Sequence, residues 1–372
     1  MIGPGGASGR RRRREAASVT TTASSDVGAV PRTMRASVMT GVGAVEVQER
    51  PVPVPADDEV LVRVGSVGVC GSDVHYYKEG RIGDMVVTGP LVLGHEVGGT
   101  VVGVGRDVPE ARVGQRVALE PQKPCRRCRQ CHAGRMNLCP NMIFYATPPV
   151  DGAFCEYVTA PADFAHPVPD SLSDAAVGLL EPLSVGIWAM HKAQVSLGDR
   201  VLVAGAGPIG AMVAMAARAR GATEVVVTDL VESRRERILQ FGATRALDPR
   251  EAAAELDTLE ADAFVDCTGA TPAVQSGIRS VRGGGSVVLV GLGAEEIELP
   301  VQLIATREIN LTGVFRYVDT WPRAIELART GAVDLDGMVT ARYDLDHVAE
   351  ALEADGDPLS MKAVVDVAGG PA

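Results

Sequence analysis

From Met34 onward the chain passes through two kinds of apolar pattern. Up to about Leu183 it runs in short Val-rich stretches broken by Gly and Pro, such as Val60-Leu61-Val62-Arg63-Val64 and Gly99-Thr100-Val101-Val102-Gly103-Val104. These runs predict a β-rich domain with functional loops between its strands. From about Val185 to Trp321, apolar strands such as Val201-Leu202-Val203-Ala204, Val225-Val226-Val227 and Val287-Val288-Leu289-Val290 alternate with helical stretches. That alternation predicts an α/β unit built on a doubly wound parallel sheet. Residues 322–372 return to mixed character and to the first domain, ending in the strand Ala363-Val364-Val365-Asp366-Val367. The expected division is a tail over 1–33, a β-rich domain over 34–184, the doubly wound domain over 185–321, and the return over 322–372.

Composition sharpens this picture. A chain of 372 residues is long enough for two domains that each bury a core. Apolar residues make up 46% of it and aromatics only 4%, so Val, Ala and Leu must fill the interior, as suits buried parallel strands. The net charge of −11 argues against a nucleic-acid backbone as the main partner. No stretch approaches the roughly 20 apolar residues of a membrane span, and no apolar signal-peptide core follows the early arginines. A soluble, cytoplasmic protein is expected. The tail sets six arginines, five of them at Arg10 to Arg14, against Glu15 and Asp26, and lacks apolar periodicity. It reads as disordered ahead of a start at Met34, with a transit peptide or a nucleic-acid arm as the other readings.

After the first strand of the second domain comes Gly205-Ala206-Gly207-Pro208-Ile209-Gly210, followed by a long Ala/Met/Arg helix. Glycines in this context let the backbone turn sharply and approach a pyrophosphate at the positive end of the helix, the Rossmann arrangement. The next strand ends in Asp229, nineteen residues beyond Gly210, where a carboxylate would accept the ribose hydroxyls of the adenosine half. Asp229 also repels a 2′-phosphate, which points to NAD rather than NADP. Arg234 and Arg235, about one helical turn further on, are candidate cofactor contacts that would offset this repulsion.

Two groups of side chains have metal-ligand character. Cys125, Cys128, Cys131 and Cys139 supply four thiolates within fifteen residues, enough to close a tetrahedral zinc with no open position. An iron–sulfur cluster or a disulfide pair are the other readings of that spacing. Cys70, in Val69-Cys70-Gly71-Ser72-Asp73-Val74-His75, and His95-Glu96, in Gly94-His95-Glu96-Val97-Gly98-Gly99, differ in kind. Their mixed donors leave room at zinc for an exchangeable oxygen, as a catalytic site requires.

These motifs resemble a known family. Gly94-His95-Glu96-x2-Gly99-x5-Gly105-x2-Val108 is similar to the zinc alcohol dehydrogenase signature, and the four-cysteine loop and the Rossmann turn follow in that family's order. Within it the chain resembles the sorbitol and xylitol dehydrogenases through Cys70-Gly71-Ser72-Asp73-Val74-His75-Tyr76, Ala146-Thr147-Pro148-Pro149, Glu181-Pro182-Leu183-Ser184-Val185-Gly186 and Gly313-Val314-Phe315-Arg316-Tyr317. Animal sorbitol dehydrogenases lack the four-cysteine loop, so the chain is similar to the branches that keep it.

The resemblance runs from Met34 to the end and implies a β-rich domain of the GroES-like kind. It also implies that Cys70, His95 and Glu96 hold a catalytic zinc, with Glu181 near the metal through water and Asp73 orienting the ligand histidine. Ser72 and His75 match proton-relay positions, while Tyr76, Arg316 and Tyr317 match polyol contacts. Val290, Gly291, Leu292, Val314 and Phe315 would line the nicotinamide. Two zinc ions per subunit, NAD, a small polyol substrate and a homotetramer complete what the resemblance implies. The rivals are another alcohol or L-threonine dehydrogenase of the same fold and, from a different class, a non-enzymatic zinc protein that binds nucleic acid.

Overall fold

The computed structural model describes residues 30–354, 357 and 359–367. The tail expected over 1–33 lies outside them except for residues 30–33, the last of which opens the first strand, Thr33–Gly41. Among the described residues no helix is long and apolar enough to cross a membrane.

The β-rich domain is organised around the strand Glu59–Gly68, whose Val60, Val62, Val64 and Val67 have no exposed surface. β-Branched residues suit this pleated, buried surface. Glu96–Val104 pairs antiparallel along one edge of it, and Tyr157–Pro161 and Lys362–Asp366 share the other. Val339–Asp344 runs parallel beside Lys362–Asp366, and Arg116–Leu119 and Ala165–Pro167 extend the far side to make seven strands. The chain's last described strand therefore closes the first domain. It sits one residue earlier than the alternation of Ala363 to Val367 suggests, and so begins with Lys362.

Six parallel strands form the second sheet, in the spatial order Arg245–Leu247, Glu224–Thr228, Arg200–Ala204, Ala261–Asp266, Val281–Leu289, Asn310–Gly313. The order reverses between Arg200–Ala204 and Ala261–Asp266, the switch point of a Rossmann sheet, where ligands bind outside the carboxyl ends of the strands. Val201, Val203, Val225, Val226, Val227, Val265, Val287 and Val288 are wholly buried, because helices cover both faces. The helix Leu180–Lys192 joins the domains and packs on Pro208–Ala219 through a core that includes Leu183, Met190, Met212 and Val213.

Candidate active site

Cys70 caps the N-terminus of the helix Gly71–Glu79, and Asp73, three residues on, accepts a hydrogen bond from the Cys70 N–H at 3.0 Å through Oδ2. The other oxygen of Asp73 accepts from Gly94 N–H at 2.9 Å and lies 3.6 Å from Nδ1 of His95. One buried carboxylate thus fixes the backbone on both sides of the pair and faces the inner ring nitrogen of His95. Orientation of a ligand histidine by such a partner leaves Nε2 for a metal. Burial pulls the His95 imidazole toward neutrality, but Asp73 and Cys70 outweigh it and hold its pKa well above the usual value.

Glu96 follows His95 as the first residue of the strand Glu96–Val104, in register with Gly68. A Cβ on Gly68 would lie 2.1 Å from Oε2 of Glu96, so only glycine lets that carboxylate lie across the neighbouring strand. Oε1 accepts a hydrogen bond from Nζ of Lys362, which also donates to the Val69 carbonyl at 2.8 Å. The Lys362 and Glu96 side chains are 3% and 0% exposed, and removing one member of a pair so buried costs about 3–5 kcal/mol. Oε2 of Glu96 is buried without a hydrogen-bond partner.

The ligand atoms of Cys70, His95 and Glu96 all lie within 4.8 Å of one another. A buried orphan oxygen, a thiol and a ring nitrogen aimed at one point fit zinc, with its mixed N, O and S ligands and an open position. Gly68→Ala is expected to push Glu96 out of this set and release the metal from it. Metal analysis should then find the zinc of the four-cysteine loop retained; undiminished zinc in the variant would show that the strand yields without cost to the ligands.

The four cysteines meet equally well. Their sulfurs lie within 4.8 Å of one another, with Cys128 at 3.5 Å from Cys131 and 3.9 Å from Cys139, and none is in a disulfide. Four thiolates at about 2.3 Å from a tetrahedral zinc stand about 3.8 Å apart. Backbone N–H groups of Cys125 and Cys131 also point at the Cys139 and Cys128 sulfurs, at 3.3 and 3.5 Å. Asn137 in the same loop is buried and donates to the Phe315 carbonyl at 2.9 Å, tying the loop to the Rossmann domain.

Glu181 sits buried in the first turn of Leu180–Lys192. Burial pushes its carboxyl up to about 7, with His95 opposing and Glu96 adding to the rise. Beside it Tyr317 is 0% exposed with its hydroxyl unpartnered, and its pKa is raised well above the usual value by burial and by Glu181. Arg316 adopts φ 56°, a left-handed conformation few non-glycine residues take, and its guanidinium lies 3.9 Å from the centre of the Phe144 ring. Phe144 in turn stands 5.7 Å from the His95 ring. Burial lowers the Arg316 pKa to about 10.

Tyr76 is buried nearby, its hydroxyl donating to the Met85 sulfur at 3.8 Å, and its pKa is raised mainly by burial. Ser72 is half-buried on the same helix, and the half-exposed His75 pairs through Nδ1 with Glu79 at 3.3 Å.

The dinucleotide turn follows the strand Arg200–Ala204. Gly205 has φ +99°, and a Cβ on Gly210 would meet the Gly205 carbonyl oxygen at 1.9 Å, so the turn and the helix start both exclude side chains. Gly207 faces open space and Pro208 opens the helix Pro208–Ala219, leaving a bare backbone cradle at its N-terminus that fits a pyrophosphate. Ile209 is half-buried behind the turn. Asp229 accepts from the Ala206 N–H at 2.8 Å and the Val231 N–H at 2.9 Å, which fixes its carboxylate against the turn.

At the carboxyl edge of the sheet, Val290 N–H donates to the Asp266 carbonyl at 2.9 Å and Val314 N–H to that of Leu289 at 2.9 Å. Gly291 packs too closely on Thr268 and Gly269 to bear a side chain. Leu292 and Phe315, 65% and 50% exposed, stand at the same edge. A cavity of about 160 Å³ lined by Cys70, Gly207, Gly210, Cys267 and Lys362 joins the Gly205–Gly210 turn to Cys70 of the first ligand set. A larger recess of about 520 Å³, behind Met34, Tyr145 and Tyr157, contains none of these residues.

A zinc-type ligand set whose Cys70 lines the same cavity as a dinucleotide cradle defines a class: zinc- and nicotinamide-dependent dehydrogenases acting on CH–OH groups. The chain belongs to the zinc-binding alcohol dehydrogenase family, since residues 56–170 match the alcohol dehydrogenase GroES-like domain and residues 208–330 match the zinc-binding dehydrogenase model. It is 44% identical over 336 residues to a sorbitol dehydrogenase of Bos taurus, covering 88% of this chain and 94% of that one. A sorbitol dehydrogenase of Bacillus subtilis is 44% identical over 331 residues, with 87% and 94% covered. Among solved structures, L-idonate 5-dehydrogenase from Escherichia coli superposes with a TM-score of 0.84 at 30% identity, covering 90% of this chain and 98% of the other. Zinc and a nicotinamide dinucleotide are accordingly its cofactors.

Lys362, Gly68, Phe144 and Asn137 also build the site, though none belongs to a ligand or cofactor motif. A lysine inside an otherwise apolar strand, Met361 to Val365, is the one local signal among them.

Proposed function

We propose that the chain oxidises a sugar alcohol of the sorbitol or xylitol type to the ketose with NAD, with one zinc held by Cys70, His95 and Glu96 and another by the four cysteines. The observation that carries the polyol reading is Arg316. Its guanidinium lies over Phe144 beside the first ligand set, and among the described residues no carboxylate is within ion-pair distance of it. A half-buried cation is costly unless its donors are satisfied, and a polyol supplies the hydroxyl oxygens that a short alcohol lacks. Tyr76, Tyr317 and the carboxyl of Glu181 are near enough to act electrostatically on the same guanidinium. Names of similar proteins support this reading, since two are sorbitol dehydrogenases.

Zinc when bound supplies a Lewis acid for the reacting hydroxyl, and the nicotinamide accepts the hydride. The chain's own residues do the rest. Asp73 holds the imidazole of His95 in one tautomer. Ser72 and the half-exposed His75, three residues apart on the same helix, carry the hydroxyl proton from the site toward water. Glu181, with its pKa near neutrality, holds water or a substrate hydroxyl at its carboxyl. Asp229 presents its fixed carboxylate to the ribose hydroxyls and disfavours a 2′-phosphate. The family resemblance further implies a cytoplasmic homotetramer.

The test is a substrate panel of sorbitol, xylitol, ribitol, galactitol, L-threonine and ethanol with NAD, read by absorbance of the reduced cofactor. The best polyol is expected to exceed ethanol in kcat/KM by at least about a hundredfold, within what a site built to hydrogen-bond hydroxyls achieves. A preference for ethanol or L-threonine would overturn the polyol reading.

A further inference from the structure

The third Rossmann strand along the chain, Arg245–Leu247 at the sheet's edge, is followed by Asp248, whose side chain is 5% exposed. Its Oδ1 accepts from the backbone N–H and the Nε of Arg250, both at 2.9 Å, and its Oδ2 accepts from Nη2 of Arg250. The same Oδ2 lies 3.3 Å from Nη1 of Arg235. Both arginines reach past Asp248 to the ribose turn: Arg235 donates to the Asp229 carbonyl at 2.9 Å and Arg250 to the Leu230 carbonyl at 3.3 Å. Two guanidiniums therefore stand directly under the residues that would meet the adenosine ribose. Both are anchored by one buried carboxylate, which offsets one of their two charges.

We propose that Asp248 is a second determinant of cofactor choice: it pins Arg235 and Arg250 beneath the Asp229–Leu230 turn and withholds them from a 2′-phosphate. The proposal rests on the dinucleotide reading of the Gly205–Gly210 turn. The charges make the case. Asp229, Asp248, Arg235 and Arg250 sum to zero, so these four groups offer a phosphate at the ribose end the repulsion of Asp229 with no net positive charge. Without the Asp248 charge, two arginines face one carboxylate, and their forked donors match phosphate oxygens. Arg250 is 66% exposed and free to turn once its anchor is gone.

The test compares equilibrium binding of NADPH and NADH to the folded, zinc-loaded protein by cofactor fluorescence. Asp248→Asn is expected to lower the Kd for NADPH about tenfold, a modest share of what a charge-assisted phosphate contact is worth, with the NADH Kd little changed. Asp248→Glu, which keeps the charge, should retain the wild-type ratio of the two. Arg250→Leu, at an exposed position, should move the ratio the other way. An unchanged ratio in Asp248→Asn and Arg250→Leu, or equal losses for both cofactors, would overturn the proposal; should Asp248→Asn not fold, Arg250→Leu alone decides it. Failure of the wild-type protein to bind NADH at all would instead overturn the dinucleotide reading.

Discussion

His95→Ala is expected to lower kcat/KM at least about a thousandfold while the chain keeps its fold and one of two zinc ions, since the several kcal/mol that a Lewis acid contributes correspond to that factor. His95 occupies the gap between the strand Glu96–Val104 and the Cys70 cap, where Asp73 fixes its ring. Alanine would remove one of the three proposed ligands and leave Cys70 and Glu96 too few to retain the metal. The surrounding backbone bonds, from Cys70 and Gly94 to Asp73, do not involve the imidazole and should persist. Cys128→Ser makes the contrast. It opens a closed four-thiolate site, and because binding free energy at such sites is folding free energy, stability should fall before chemistry does. Metal analysis, circular dichroism and steady-state rates on both variants check the pair. Fully active wild-type protein with a single zinc would remove the division of roles.

Arg316→Leu is expected to shrink the polyol-to-ethanol ratio of kcat/KM by about tenfold or more, because hydrogen bonds to a charged group are worth about 1.5–3 kcal/mol. The loss should fall on the polyol. Leucine keeps an apolar contact with Phe144 and removes the donors, so ethanol, which does not use them, should be oxidised about as before. The backbone φ of 56° at this position adds strain for any side chain with a Cβ, present equally in the arginine and leucine proteins. A role in supporting the cofactor would look different: the KM for NAD would rise and the substrate ratio would stay. Measuring both parameters in one variant separates the two roles.

Much of this arrangement is legible in the chain because its requirements are local. The Gly205–Gly210 turn needs glycines where a carbonyl or a phosphate comes close, and the turn in the structure excludes a Cβ at Gly210 as that reasoning demands. Four cysteines within fifteen residues announce a closed metal site, and their sulfurs do converge. Strands buried on both faces read as unbroken valine runs. Other parts carry no local mark.

Lys362 reaches Glu96 only because the chain's end returns to pair with Glu59–Gly68, a contact 266 residues apart. Gly68 matters through its neighbour across the sheet rather than through its own turn. Asp248 looks like a solvated strand-end acid until Arg235 folds back onto it. Each of these depends on long-range register, which periodicity does not encode.

The hydrogen bond from Asn137 to the Phe315 carbonyl has a mechanical side. A cleft that admits a dinucleotide between two domains has to widen, and this bond crosses the cleft. Any rotation that opens it must either break the bond or carry the Cys125–Cys139 loop along with the Rossmann domain. If the loop travels, a zinc held by its four cysteines would keep the moving piece rigid and leave bending to the paired residues Gln122–Lys123 and Ile143–Phe144 that flank it. Phe144, which lies 3.9 Å under the Arg316 guanidinium and 5.7 Å from the His95 ring, belongs to that flanking pair. The bond therefore couples any such opening to the segment that carries Phe144.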